Sequence, residues 1–553
     1  MRVLGINAIF HDPAAALVVD GAVVAAAEEE RFSRRKHGKR PVPFAAWELP
    51  EQAAAWCLSV AGLSPDDLDA VGYSFDPWLC RPADQLGLDD PWDWLRQEYA
   101  QRAPTMLAQA LPGLDPELVH FVPHHVAHAA SAGLAVPAGP DGTDCAVLVL
   151  DGRGEAASHL AGVYRGGVLE PRYAQRLPHS LGLLYEELTA HLGFLRSSDE
   201  YKVMALASYG RPRFLPELRE LVRATGDGGF RVEPPDWAVW AKRRTGEDAE
   251  LNEDHADLAA SVQARLEEVL LELAAWLYED TGGPATLALA GGVALNCVAN
   301  ARLAAEGPYR RMWVQPAAGD AGTALGAALH LARGGGDLTV PMPGADLGRG
   351  FSDGEIEAEL RRAALPYTRP ESIAREAATV LAADGIVAWY QGRGEYGPRA
   401  LGHRSLLAHP GHAGTTTRLN DVKGREQFRP VAPMVRLERA AEIFSGQLPS
   451  PYMLFVHEVR PEWRDRIPAV VHVDNTARVQ TVDPADDPLL AALLAEFERR
   501  TGLPVVVNTS LNTAGRPMVD TPREAMELFG SAPVDLLAIG PFAVYRGAAF
   551  AAR

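Results

Sequence analysis

The chain has 553 residues, 47% apolar and 23% charged, a composition that excludes general disorder and leaves room for on the order of two to four domains. Lys and Arg total 53 against 72 Asp and Glu, and the net charge of −19 argues against a nucleic-acid partner, whose phosphates are held by clustered basic side chains. The four cysteines (Cys57, Cys80, Cys145, Cys297) form no C-x-x-C pair, which excludes a disulfide framework and a zinc ribbon and fits a reducing, cytoplasmic setting.

Val3–Ile6 is a short apolar run that reads as a buried strand. Ala14–Asp20 follows as a second, and after a turn at Gly21 the run Ala22–Ala27 returns as a third. An Ala-rich helix is expected over Pro50–Ala61, while the segment around Trp92 and Trp94 has no readable period. Cys145–Asp151 repeats the opening pattern: a strand, the loop Gly152-Arg153-Gly154, a strand through Leu160–Tyr164 and a turn at Arg165-Gly166-Gly167. The repeat points to an internal duplication. Asp257–Asp280 spaces its apolar residues for one long helix ending at Gly282. A strand at Ala285–Ala290 meets Gly291-Gly292, and one at Met312–Gln315 precedes Asp320 and a small-residue helix over Ala321–Leu331.

The Gly- and Pro-rich stretch from Gly334 to Gly350 closes on a capping box, Ser352 with Glu355, and sets the expected domains at 1–345 and 346–553. The second part alternates helix (Ser372–Ala383), strand (Ile386–Tyr390), helix (Pro488–Thr501) and strand (Pro504–Asn508), a mixed α/β pattern. The N-terminus lacks the order of a signal peptide and no run of 18 apolar residues occurs, so no membrane partner is expected.

His124 and His128 follow Pro123 at a spacing of four, which puts both rings on one face of a helix, as two ligands of one metal require. Solvated rings at a helix start are the alternative. Asp151 and Asp320 each end a strand beside a glycine turn, where carboxylates commonly face the phosphates of a nucleotide. For Asp320 the alternative is a helix cap. Gly291-Gly292 is a third such turn, suited to a close backbone approach. Gly392-Arg393-Gly394-Glu395-Tyr396-Gly397 has the dinucleotide-binding spacing, but Pro398 follows and no helix is evident, so that reading fails its context.

Together these units look like the actin/sugar-kinase (ASKHA) fold. More closely, the chain resembles the NodU/CmcH carbamoyltransferase family, which includes the tobramycin-type O-carbamoyltransferases of antibiotic and other natural-product biosynthesis. The matching stretches are GINAIFHDPAAALVVDG, AAEEERFSRRKHG, FVPHHVAHAASA, LVLDGRGE, YKVMALASYG, ALAGGVALNCVAN, GRGEYGPRALGHRSLLAHP, FRPVAPM and VVNTSLNTAGRPMV. The resemblance implies an α/β protein with a duplicated ASKHA-like carbamoyl-transfer domain and a C-terminal YrdC-like domain that forms carbamoyl-adenylate. It makes His124, His128, Asp151 and Asp320 ligands of a divalent metal, Fe²⁺ with Mn²⁺ or Zn²⁺ as alternatives; Mg²⁺ would accompany ATP. It gives Lys36, Gly152, Gly154, Gly291, Gly292 and Asn296 to the adenylate, and His11 to deprotonation of the acceptor, with Lys202 a weaker candidate for the acceptor pocket.

In the second part the family pattern turns attention to Arg399, Arg404, Lys423, Arg425, Arg429, Arg478, Asn508, Ser510 and Asn512. Guanidinium forks match the phosphate of carbamoyl phosphate, and amides or hydroxyls can read its planar end. Asn508 and Ser510 are expected to emerge at the end of the Pro504–Asn508 strand. The implied partners are ATP, carbamoyl phosphate and a hydroxylated small-molecule acceptor, with no nucleic acid and no membrane; a homodimer is compatible with this. The alternative is a tRNA threonylcarbamoyl-adenosine-type transferase.

Overall fold

Short apolar runs broken by glycine turns fold as antiparallel meanders. In a computed structural model describing residues 1–38, 48–139, 142–246, 249–338, 340–513 and 515–549, β1 (Arg2–Asn7), β2 (Ala14–Val19) and β3 (Ala22–Glu28) form such a meander, turning at Gly21 with φ +78°. After α1 (Glu30–Ser33) and α2 (Glu51–Val60), the strand β4 (Ala70–Tyr73) pairs parallel to β1. Then come α3 (Asp93–Ala110) and β5 (Val119–Phe121), giving the order β3-β2-β1-β4-β5.

The second sheet repeats this plan. After α4 (His124–Gly133), β6 (Cys145–Leu150), β7 (Ala157–Arg165) and β8 (Val168–Arg176) form the meander. Following α5 (Glu200–Ala207) and α6 (Glu253–Asp280), β9 (Thr286–Ala290) adds parallel to β6; α7 (Cys297–Glu306) then leads to β10 (Arg311–Val314), for the order β10-β9-β6-β7-β8. Three antiparallel strands followed by two parallel ones, twice in one unit, is the duplicated actin/sugar-kinase plan. The returning strand β7 begins at Ala157, earlier than the Leu160 expected. The Trp-rich segment opens α3, with Trp92 and Trp94 exposed on its first turn and Pro104 interrupting its pattern.

The last helix of this unit, α8 (Ala321–Gly334), is built from small residues for a steric reason. A Cβ on Gly326 would lie 1.7 Å from the Ala127 carbonyl oxygen, and one on Gly5 would lie 1.8 Å from the Ala324 oxygen. Thus α8 meets α4 on one side and β1 on the other at backbone contact. The chain divides into two compact units, Met1–Gly344 and Ala345–Arg553.

The second unit is built on a seven-stranded mixed sheet, beside a small three-stranded one. After α9 (Ile373–Ala382) come β11 (Val387–Tyr390), β12 (Arg404–Ala408), α10 (Thr415–Lys423), β13 (Ala432–Arg436), β14 (Gln480–Val482), α11 (Pro488–Thr501), β15 (Val505–Ser510), β16 (Leu536–Ile539) and β17 (Phe542–Tyr545). The strand order is β14-β13-β15-β12-β11-β16-β17. One face is filled by α9 and α11 through Ala377, Leu381, Leu494 and Phe497. The capping box of Ser352 with Glu355 is present, and no helix follows Gly392–Gly397. Among the described residues no helix is long and apolar enough to cross a membrane.

Replacing Gly326 with Ala should cost about 1–3 kcal/mol, because α4 and α8 must separate to admit the methyl group. A thermal unfolding midpoint equal to that of the parent protein would contradict the backbone contact.

Candidate metal centre

Two imidazoles and two carboxylates from three segments of the first unit meet at one point. His124 and His128 project from the same face of α4, their ring centroids 4.7 Å apart. Asp151 follows the last residue of β6, and Asp320 immediately precedes α8. His124 Nε2 lies 3.4 Å from Asp151 Oδ2 and 3.5 Å from Asp320 Oδ1; His128 Nε2 lies 3.8 and 3.6 Å from the same two oxygens. One ligand atom from each residue falls within 4.8 Å of all the others.

All four separations exceed the usual N–H···O length of about 2.7–3.2 Å, and the groups are buried. His124 and His128 are 0% exposed and Asp320 1%. The Nε2 atoms of both histidines and both oxygens of Asp320 have no hydrogen-bond partner. Asp320 makes no side-chain bond to the first turn of α8, so the capping alternative fails. Unpaired buried polar atoms are costly, and the two Nε2 atoms and Asp320 Oδ1, converging with Asp151 Oδ2 on one point, are what a cation would satisfy. The residues therefore fit a metal, and two imidazoles with two carboxylates suit a borderline divalent ion.

The surroundings fix which atoms face inward. His124 Nδ1 donates to the Ser74 carbonyl at 3.1 Å, which leaves the lone pair on Nε2. Its backbone N–H donates to Glu155 Oε1 at 2.8 Å. Asp151 Oδ1 accepts from the Gly292 N–H at 3.0 Å, so Oδ2 is the oxygen left for the centre. Burial alone would push both carboxyls up and His124 down; the facing opposite charges reverse this, holding the carboxyls below their usual range and His124 well above its own.

His11 stands beside this group. Its Nδ1 lies 2.9 Å from Asp12 Oδ2 and its Nε2 3.7 Å from Asp320 Oδ2. Burial opposes its charge, but the Asp320 and Asp12 carboxylates outweigh burial and push the imidazole up to about 10. A cation taking up the Asp320 charge would remove much of that pull.

Other expected residues divide by what holds them. Lys36 Nζ sits 3.2 Å from Glu30 Oε2, and Lys202 Nζ sits 3.2 Å from Asp199. Gly291 (φ +90°) is required by the end of β6, since a Cβ would lie 2.1 Å from the Leu150 oxygen. Gly154 makes room for the ring of His125, and Gly152 approaches Glu186. The Asn296 carboxamide is already engaged: it caps α7 at Ala299 and exchanges two bonds with Gln263. Lys39 and Arg40, the end of the basic run that opens at Arg31, lie outside the described residues.

In the second unit Lys423, Ser510 and Asn512 converge. Lys423 Nζ donates to Ser510 Oγ at 3.0 Å and to Asn512 Oδ1 at 2.5 Å, and burial holds the ammonium well below its usual range. Arg425 donates to Asn420 Oδ1 at 2.6 Å and Arg429 lies 3.4 Å from Glu426; these two, Arg399 and Arg478 are half-buried. Two expectations are corrected. Strand β15 extends to Ser510, so Asn508 pairs between β12 and β13 inside the sheet, with Nδ2 bonded to the Ala400 carbonyl and Gln480. Arg404 is fully buried over the Tyr390 ring, and its guanidinium binds the carbonyls of Gln391, Gly392 and Arg349; it braces the loop.

Three residues escaped the sequence reading. His37 lies 3.0 Å from Asp12 Oδ1, although its neighbours Arg34, Arg35 and Lys36 are all cationic. Glu155 accepts from both His124 N and Asp76 N. Glu395 accepts from the N–H groups of Leu401, His403 and Arg404, shaping the turn after Arg399. Each carboxylate organises backbone, a role with no sequence period.

The description "Carbamoyltransferase N-terminus" matches residues 2–110 and 98–329, and "Carbamoyltransferase C-terminus" matches residues 378–546. The chain belongs to the carbamoyltransferase family. It is a carbamoyl-transfer enzyme. An uncharacterized protein of Synechocystis sp. is 37% identical over 99% of this chain and 97% of its own length. Nodulation protein NolNO of Sinorhizobium fredii is 37% identical over 97% of this chain and 79% of its own length; Nodulation protein U of Rhizobium tropici is 32% identical over 93% and 92%. Among solved structures the likeness is slight: HypF of T. kodakarensis gives a TM-score of 0.33 at 17% identity, over 61% of this chain and 49% of its own.

The purified carbamoyltransferase should carry a tightly held divalent ion, and Asp320→Asn or His128→Ala should lose most of it. Metal analysis after dialysis, with circular dichroism confirming the fold, checks this; full metal content in both variants would contradict the assigned ligands.

Proposed function

We propose that this carbamoyltransferase is an O-carbamoyltransferase that uses carbamoyl phosphate and ATP, through a carbamoyl-adenylate, to modify a hydroxyl of a sugar- or polyol-containing natural product. The observation that carries the reading is the buried set of His124, His128, Asp151 and Asp320 with His11 alongside. A site for phosphates and a leaving AMP needs a fixed positive centre, and an attacking hydroxyl needs a base beside it.

In the first half-reaction, water splits carbamoyl phosphate into carbamate and inorganic phosphate; a carbamate oxygen then attacks the α-phosphorus of ATP, forming an O–P bond as the bond to the β-phosphate breaks and pyrophosphate leaves. Lys423, Arg399, Arg425, Arg429 and Arg478 offset the crowded negative charge. Ser510 and Asn512 read the planar carbamoyl end, and Asn508 offers its buried carbonyl Oδ1, which has no partner. In the second half-reaction, the acceptor oxygen attacks the carbamoyl carbon and the bond to AMP breaks. His11 Nε2 takes the hydroxyl proton, while Nδ1 stays bonded to Asp12. Lys36 and the turns at Gly152, Gly154, Gly291, Gly292 and Asn296 hold the adenylate. A divalent ion in the His₂Asp₂ set, Fe²⁺ by family resemblance with Mn²⁺ or Zn²⁺ as alternatives, would polarise the adenylate, and Mg²⁺ would accompany ATP.

Enzyme given ATP and carbamoyl phosphate without acceptor should accumulate carbamoyl-adenylate, seen by mass spectrometry; its absence, with transfer intact, would favour direct transfer. His124→Ala should keep pyrophosphate release and abolish transfer, whereas Arg429→Ala or Arg478→Ala should abolish pyrophosphate release. Loss of both half-reactions in His124→Ala, with the fold intact, would contradict the division of labour.

A further inference from the structure

A chain of side chains runs outward from His11 through residues that no comparison assigns. Asp12 spans two imidazoles, one oxygen to each: Oδ2 lies 2.9 Å from His11 Nδ1 and Oδ1 3.0 Å from His37 Nδ1. The other nitrogen of His37 lies 2.7 Å from Ser198 Oγ. With an ionised Asp12 accepting from both Nδ1–H groups and both rings neutral, the serine hydroxyl donates to His37 Nε2 and the lone pair of His11 is left on Nε2. That arrangement of hydrogens satisfies every contact along the chain.

The backbone is bent to make it. Phe10, Asp12, His37 and Ser197 have φ of 52°, 49°, 60° and 58°, a left-handed conformation that costs roughly 1–2 kcal/mol at each non-glycine position. Such geometry persists only where its surroundings enforce it. The buried Asn7 donates to the carbonyls of His11 and Asp12 at 3.0 and 2.9 Å, and Glu30 Oε2 accepts the His37 N–H at 2.9 Å. Asp12, Glu30 and His37 also have ligand atoms within 4.8 Å of one another. A second metal is disfavoured there, because the Lys36 ammonium already faces Glu30 at 3.2 Å.

We propose that His37 is a positioning residue for carbamoyl transfer: backed by Ser198, it holds the Asp12 carboxylate against His11 Nδ1, fixing the tautomer and aim of the ring. This rests on the role given to His11 in the proposed function. A base whose supporting carboxylate is free to turn presents the wrong nitrogen for part of the time, so the effect falls on turnover and not on acceptor binding.

The test compares His37→Asn with His37→Asp in the full-length enzyme. Both replacements tolerate left-handed backbone, but only Asn keeps a donor toward Asp12. His37→Asn should stay within a few-fold of the parent kcat, and His37→Asp should lower kcat for transfer roughly 10- to 100-fold, with acceptor KM, pyrophosphate release and bound metal unchanged. Equal kcat in the two variants would overturn the proposal. So would parent-like kcat in Asp12→Asn, which serves as the second variant if His37→Asp fails to fold. His11→Ala separates the two levels: transfer surviving that change removes the proposed role of His11 itself, whereas transfer lost there but intact in His37→Asp removes only the inference.

Discussion

Two histidines and two aspartates buried around one point, with both imidazole Nε2 atoms and the Asp320 oxygens unpaired, impose more on this protein than any other interaction. Each such group taken from water costs several kcal/mol unless something answers it. The fold concentrates its tightest backbone contacts on keeping them together. Gly326 lets α8 reach the Ala127 carbonyl on α4, which brings Asp320 level with His124 and His128. The Gly292 N–H turns Asp151 so that one oxygen is spent and the other faces in. The Ser74 carbonyl settles the tautomer of His124. A side chain on α8 at Gly326 would force that helix away from α4, and Asp320 with it.

The same constraint explains why the duplicated plan is useful. In each copy the meander places a glycine turn beside the parallel strands, and the ends of β6 and β9 come together where Asp151 meets Gly292. The first copy contributes the loop after β1, with His11 and Asp12. The first copy and the helix α4 that follows it thus supply the base, its support and the two histidines, and the second supplies the two aspartates and the glycine turns. The second unit is organised differently. Its polar residues gather at the end of α10 and the end of β15, where Lys423, Ser510 and Asn512 bind one another. Burial, with Arg425 and Arg429 standing near, holds the ammonium of this lysine well below its usual range.

How much of this was legible depended on whether a feature leaves a period or a spacing. The helix Pro488–Thr501 was readable to the residue, because its Pro start, apolar repeat and Gly end are all local signals. The duplication was visible as repeated apolar runs and turns, and the four metal-facing residues as strand ends and a four-residue histidine spacing. The roles of single polar side chains were not legible. Arg404 and Arg399 look alike in sequence, yet Arg404 is sealed under loop carbonyls. Asn508, expected at the end of its strand, is paired on both sides between β12 and β13 because β15 runs on to Ser510. His37 hid in a run of positive charge, and only the left-handed turn at Lys36–Gly38 carries it back to Asp12.

The account stands or falls on what sits between His124, His128, Asp151 and Asp320. Anomalous diffraction from crystals of the purified protein, collected on both sides of the iron, manganese and zinc absorption edges, reads that directly. A single anomalous peak bonded to the Nε2 atoms of both histidines and to one oxygen of each aspartate is the predicted result. Proton-mediated contacts between the four side chains, with no anomalous scatterer between them at any edge, would contradict it.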